Sequence, residues 1–146
     1  MILRALQRSD IPSLLHIEKD CFPDPWQENS WQTAFARADF FGFVVVDENG
    51  CVGFACATAL FEESELLKIA VLPAMRGKGY GNELLTALLN EAKNRGAEKM
   101  FLEVREGNLP ARKLYEKTGF IQTRVRKKYY DDGENAVEMF KSMDKE

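Results

Sequence analysis

Leu67-Lys68-Ile69-Ala70-Val71-Leu72-Pro73 runs through Ala74-Met75 into Arg76-Gly77-Lys78-Gly79-Tyr80-Gly81, an apolar strand pattern feeding a glycine-rich turn that opens a helix. Alternate glycines pack poorly, but they let backbone N–H groups converge on one point. The first turn of the helix adds unsatisfied donors and the positive end of its dipole, so the segment suits a pyrophosphate. Arg76 and Lys78 would add charge-assisted bonds. Spacing excludes two common phosphate loops. A dinucleotide fingerprint from Gly77 would need glycine at Asn82, and a Walker loop would need Lys then Ser or Thr after its last glycine. A flexible strand-to-helix turn is the plain structural alternative.

Working outward, Leu66 to Leu72 reads as the strand, and Gly79 to Arg95 as a helix through Leu84, Leu85, Leu88 and Leu89. Lys99 to Val104 is a strand again, so strand, helix, strand predicts a parallel crossover. Asn108 is a good N-cap with Pro110 just inside the next helix, and Thr118-Gly119 ends it. Strands over Phe120 to Tyr130 and Ala136 to Ser142 follow, joined around Asp131-Asp132-Gly133. Upstream, Ile2 to Ala5 suits a strand, and Ser9-Asp10 before Pro12, Ile11, Leu14, Leu15 and Ile17 reads as a capped helix that Cys21-Phe22-Pro23-Asp24-Pro25-Trp26 breaks. A short helix from Ser30 through Phe35 precedes a strand over Phe41 to Val46, and Asn49-Gly50 turns it into Cys51 to Leu60. The order β, α, α, β, β, β, α, β, α, β, β predicts an α+β, three-layer architecture around a mixed sheet.

At 146 residues and 45% hydrophobic content, one domain over 1–146 is expected, able to bury a core without staples. The net charge of −3 is unevenly spread: residues 1–66 hold 4 Lys/Arg against 11 Asp/Glu, and 93–128 hold 11 against 4. A basic second half suits nucleic acid or a phosphorylated cofactor and an acidic first half a cationic substrate, though solvated faces account for both equally. Cys21, Cys51 and Cys56 lack CxxC spacing, and His16 is the sole histidine, so no zinc set is expected and a reduced, cytoplasmic setting is. The N-terminus has no signal-like pattern, and no apolar run approaches the roughly 18 residues of a membrane span, so a soluble, unprocessed protein is expected.

Arg76, Gly79 and Gly81 match R/Q-x-x-G-x-G/A, and Asn108, Ala111, Leu114, Tyr115, Gly119 and Phe120 match N-x-x-A-x-x-L-Y-x-x-x-G-F. On these motifs the chain resembles the GNAT acetyltransferase superfamily. The resemblance implies a GNAT fold, with about seven strands in a mixed sheet flanked by about four helices, and acetyl-CoA as co-substrate without a metal. It implies that backbone groups of the splayed strand at Ile69, Ala70 and Val71 hold the pantetheine arm. Arg76, Gly77, Lys78, Gly79, Tyr80 and Gly81 would then hold the pyrophosphate, with Asn108 and Ala111 beside the cofactor.

Acetyl transfer to an amine needs a base, oxyanion donors and an acid for the departing thiolate. The family resemblance assigns the acid to Tyr115, whose phenol has a reference pKa of about 10, above that of a thiol. Glu103 ends an apolar strand, where a carboxylate is costly unless it is exposed or used. The Leu102-Glu103-Val104-Arg105 context, Tyr129-Tyr130 and Glu134-Asn135-Ala136-Val137-Glu138-Met139 are similar to the ribosomal-protein-alanine N-acetyltransferase subgroup, the RimI type. That likeness makes Glu103 the base, acting through water on an α-amine of pKa about 8. Asn135 stands where the subgroup has aspartate, which bears on acceptor choice.

The implied acceptor is a protein N-terminus or peptide, ribosomal in the subgroup's likeness. Another amine, and a silent acyl-CoA-binding module, are the alternatives. Neither direct nucleic-acid binding nor a membrane is expected, and the chain should be a monomer or weak dimer. Trp26, Trp31, Phe40 and Phe41 are candidates for a peptide groove or for core, and Glu18, Asp20 and Asp24 for attracting a cationic peptide. Arg124, Arg126, Lys127 and Lys128 are open to CoA, RNA or solvent.

Overall fold

A computed structural model describes residues 1–143. Its elements, in order, are β1 (Ile2–Ala5), α1 (Ile11–Cys21), α2 (Glu28–Phe35), β2 (Phe40–Asp47), β3 (Gly50–Leu60), β4 (Glu63–Val71), α3 (Tyr80–Asn94), β5 (Lys99–Arg105), α4 (Leu109–Thr118), β6 (Ile121–Arg126) and β7 (Ala136–Ser142). Single 3-10 turns occupy Arg8–Asp10 and Pro73–Met75. The strands form one 7-stranded sheet in the order β1-β2-β3-β4-β5-β7-β6. Every neighbouring pair is antiparallel except β4 and β5, which the helical crossover through α3 makes parallel.

Alternation along the strands sorts side chains into two apolar layers. Val44, Phe54 and Cys56 pack with Ile11, Leu14, Ile17 and Trp31 of α1 and α2. Val45, Ala55, Ala57, Met100, Leu102 and Val104 pack with Leu84, Leu85 and Leu88 of α3 and Tyr115 of α4. Trp31 is fully buried, edge-on to Trp26 at 4.8 Å and to Phe54 at 5.3 Å, and Phe41 is buried too, so both are core and not groove.

The parallel pair sets up the site. β4 and β5 are in register only at Glu63↔Lys99, Ser64↔Met100 and Glu65↔Phe101, and beyond that the two strands part. A bulge between β3 and β4 marks the same place: Cys56 faces Lys68 while Ala57 faces Leu66, leaving Leu67 as the extra residue that bends the strand.

Three local expectations are corrected. The strand expected from Leu66 begins at Glu63, because pairing with β3 carries on through polar residues and Ser64 Oγ donates to Thr58 O at 2.7 Å. The strand expected to reach Tyr130 stops at Arg126; Lys128 has φ 51 and its N–H donates to Asn135 Oδ1 at 2.9 Å, so Tyr129 and Tyr130 sit in a turn. Asp10 precedes α1 as expected but does not cap it. Its carboxylate accepts from Gln7 N at 2.8 Å and pairs with Arg4, tying the first strand to the first helix.

Candidate active site

Where β4 leaves β5, a strand edge is left open. Leu72 N donates to Val52 O at 2.9 Å, and Ala70 is the register partner of Phe54, so alternation turns the backbone groups of Ile69 and Val71 away from β3 and toward the gap. A cleft of about 560 Å³ lies along this edge. Ile69, Ala70, Val71, Arg76, Gly77, Gly79, Tyr80, Gly81, Asn108 and Ala111, all expected from sequence, line it. Lys78 does not, and Arg76 departs from its expected role in a more informative way. Its Nε donates to Val71 O at 2.9 Å and its guanidinium approaches Cys21 Sγ at 3.7 Å, so it folds back on the strand instead of reaching over the glycine loop.

The loop itself is built from backbone. Gly77 and Gly79 have φ 83 and 84, a left-handed conformation in which a Cβ is strained even though the space around both is open. Gly79 starts α3 with no side-chain cap, so the first-turn N–H groups face the cleft mouth uncommitted. Across from it, Asn108 Oδ1 accepts from Ala111 N at 3.3 Å, capping α4, and the same residue lines the cleft; capping and lining coexist.

Tyr115 lies behind the cleft wall formed by Ala111 and Leu114, one turn further along α4. Its ring is 4% exposed and packs 5.7 Å from Phe120. Among the described residues its hydroxyl makes no hydrogen bond. Burial, with the nearby Tyr130 phenol adding to it, pushes the Tyr115 phenol well above its usual range and keeps it protonated.

Glu103 is on the other face of β5. Met100, Leu102 and Val104 point into the α3/α4 layer, whereas Lys99, Phe101 and Glu103 line a separate hollow of about 670 Å³ with Arg124, Arg126, Tyr129 and Glu138. Tyr129 Oη donates to Glu103 Oε1 at 2.9 Å, and Arg126 Nε is 3.2 Å from Oε2. Burial raises the Glu103 carboxyl above the ordinary glutamate range; the Tyr129 bond opposes this, Glu138 adds to it and Arg126 opposes it. Arg124 and Arg126 are therefore committed to carboxylates of the sheet. Glu18, a candidate for attracting a cationic peptide, is wholly buried and bonded to Lys68 Nζ at 2.7 Å.

Sequence reasoning gave no site role to several residues that line the cleft, among them Cys21, Phe22, Arg105 and Glu134. Arg105 pairs with Asp24 at 3.4 Å, Asp132 at 2.9 Å and Glu134 at 3.0 Å and lies 4.1 Å over the Tyr130 ring, joining the segment after α1 to the β6–β7 turn across the end of β5. The available signal was the clustering of acidic residues in those two segments with one arginine between them. Asn135 proves to hold the turn, accepting from Lys128 N and donating to Glu106 Oε1 at 3.1 Å.

A parallel pair that splays at a bulge, a glycine loop at an uncapped helix and a tyrosine one turn after the capped start of α4 define a class, and the comparisons agree with it. Residues 11–120 match the acetyltransferase (GNAT) family, and the chain belongs to that family. It is an acetyl-CoA-dependent N-acetyltransferase. It is 34% identical over 142 residues to the (ribosomal protein bS18)-alanine N-acetyltransferase of Haemophilus ducreyi, covering 94% of this chain and 97% of that one. The Escherichia coli protein of the same name is 31% identical over 140 residues, 94% of each chain. The crystal structure of the Escherichia coli ribosomal-protein-S18-alanine N-acetyltransferase superposes with a TM-score of 0.89 at 32% identity, over 99% of this chain and 96% of that one. Among the described residues no helix is long and apolar enough to cross a membrane.

Proposed function

We propose that the chain transfers acetyl from acetyl-CoA to the N-terminal α-amine of a protein, alanine-first and ribosomal as in the relatives' names. The observation that carries this is the placing of Glu103 and Tyr115 on opposite faces of β5, beside a gap whose far edge is the open backbone of Ile69 and Val71. Residues 1–146 work as one domain in this reading, in the cytoplasm, and the three free thiols fit a reducing setting.

Acetyl-CoA supplies the activated acyl group. The uncapped first turn of α3 and the glycine loop bind its pyrophosphate, and the backbone of Ile69 and Val71 holds the pantetheine arm and polarises the acyl oxygen. Asn108, Ala111 and Tyr80 complete the wall, while Arg76 must release Val71 O to reach a phosphate. Glu103, whose carboxyl burial raises above the ordinary glutamate range, removes the proton from an α-amine through water, since only the neutral amine has a lone pair to offer. Tyr115 returns a proton to the departing sulfur on the other face. Its buried phenol is a weak acid, but the same desolvation makes a thiolate beside it a stronger base.

The test is thiol release with peptides starting in free Ala, Ser or Met, the same peptides N-acetylated, and lysine and polyamine acceptors. Turnover confined to free peptide N-termini supports the proposal. Turnover only with small amines overturns the acceptor, and cofactor binding without turnover of any amine overturns the enzymatic role.

A further inference from the structure

Glu103 has a carboxylate for a cross-strand neighbour. The β5–β7 register sets Glu103 directly opposite Glu138, and the β6–β7 register sets Glu138 opposite Arg124. Like charges directly opposite on adjacent strands repel, so a pair of this kind needs cations between its members. Arg126 Nε bonds Glu138 Oε2 and also lies 3.2 Å from Glu103 Oε2, so one guanidinium is shared by two carboxylates. Arg124 Nε holds the other oxygen of Glu138 at 2.6 Å. Glu138 thus has two arginines and Glu103 part of one.

We propose that Glu138 is a positioning residue for the acceptor side: by drawing Arg126 toward itself it keeps that guanidinium from fully neutralising Glu103, which remains a usable base. This rests on the assignment of Glu103 as the base. The neighbouring strands and the turn present Arg124, Arg126, Tyr129, Tyr130 and Glu138 to Glu103. Its own strand adds Lys99 and Arg105 on the same face, and β4 adds Glu65. Of these, Tyr129 and Arg126 are in contact with the Glu103 carboxylate, and Glu138, its register partner, meets it carboxyl to carboxyl.

The two members of the balance act with opposite sign. In Glu138→Gln, a negative neighbour is lost and Arg126 turns wholly to Glu103, so the ionised form of Glu103 is favoured. In Arg126→Gln, Glu103 faces Glu138 without a cation between them, so its protonated form is favoured. A loosened fold would not give opposite displacements.

The measurement is the titration of the Glu103 side-chain carboxyl by carbon-13 NMR, its signal assigned by its loss in Glu103→Gln, alongside the acid limb of kcat at saturating peptide. Glu138→Gln should lower the Glu103 midpoint and the limb by about 0.5–1 pH unit, and Arg126→Gln should raise both by a similar amount. Both displacements should shrink at high salt. Unmoved midpoints, or movement in the same direction in the two variants, overturn the proposal. If Glu103→Gln keeps both its turnover and the limb, the base assignment itself has failed; if it loses them while Glu138→Gln leaves the midpoint in place, only the positioning role has.

Discussion

The two faces of β5 are built by different means. The cleft takes its cofactor edge from main chain, with an open strand edge at Ile69 and Val71, left-handed glycines at 77 and 79 and an uncapped helix start drawn from one contiguous stretch, and side chains of α4, Phe22 and Arg105 close it. Toward the opposite face the hollow around Glu103 is made of side chains from β5, β6, β7 and the β6–β7 turn, held by ion pairs that sheet register brings together. A main-chain site depends on conformation and is broken by whatever denies it a φ. A side-chain site depends on charge balance and is broken by single neutralisations.

Tyr115→Phe should have the largest effect. It removes the proton donor and little packing, so kcat should fall by about 10²–10⁴-fold, as losses of general acids do, with the acetyl-CoA Kd nearly unchanged by calorimetry. Lys68→Met comes next and attacks the buried ion pair that ties β4 to α1. It strands Glu18, whose side chain is 0% exposed and whose Oε1 also accepts from Trp26 N at 3.1 Å, so thermal unfolding should show a loss of about 3–5 kcal/mol. Lys68→Met with Glu18→Leu should recover most of it, since removing both charges leaves none unpaired.

Gly79→Ala probes the main-chain face alone. With no atom within 4 Å of the added Cβ, the cost is the left-handed φ, about 1–2 kcal/mol, and the acetyl-CoA KM should rise about five- to tenfold while the peptide KM holds. If the peptide KM rises equally, the two faces are not as separable as their construction implies. Asn108→Ala should cost least, about 1 kcal/mol of stability from the lost cap, read as a small fall in Tm.

The same contrast explains what was legible in the sequence. The glycine loop and the α4 start were readable because each lies in one short segment whose glycines, asparagine and proline have local conformational meaning. The element order followed from periodicity. What escaped came from pairing: β4 extends to Glu63 because β3 is there to pair with, and polar Ser64 and Glu65 give no apolar signal. The fate of Arg124 and Arg126 could not be read from their own segment, because Glu103 and Glu138 reach them only through a register shared by three strands. Arg76 was read as a phosphate ligand from its motif, and its bond to Val71 O depends on how the chain folds back after the Pro73–Met75 turn.

The most direct measurement is single-turnover acetyl transfer to an alanine-first peptide, with acetyl-CoA bound beforehand to wild type, Tyr115→Phe and Glu103→Gln. Residues acting from opposite faces of one gap should each leave acetyl-CoA binding intact and each lose most of the transfer rate. Transfer at the wild-type rate in either variant, or loss of acetyl-CoA binding in Glu103→Gln, would contradict a reaction centre assembled across β5.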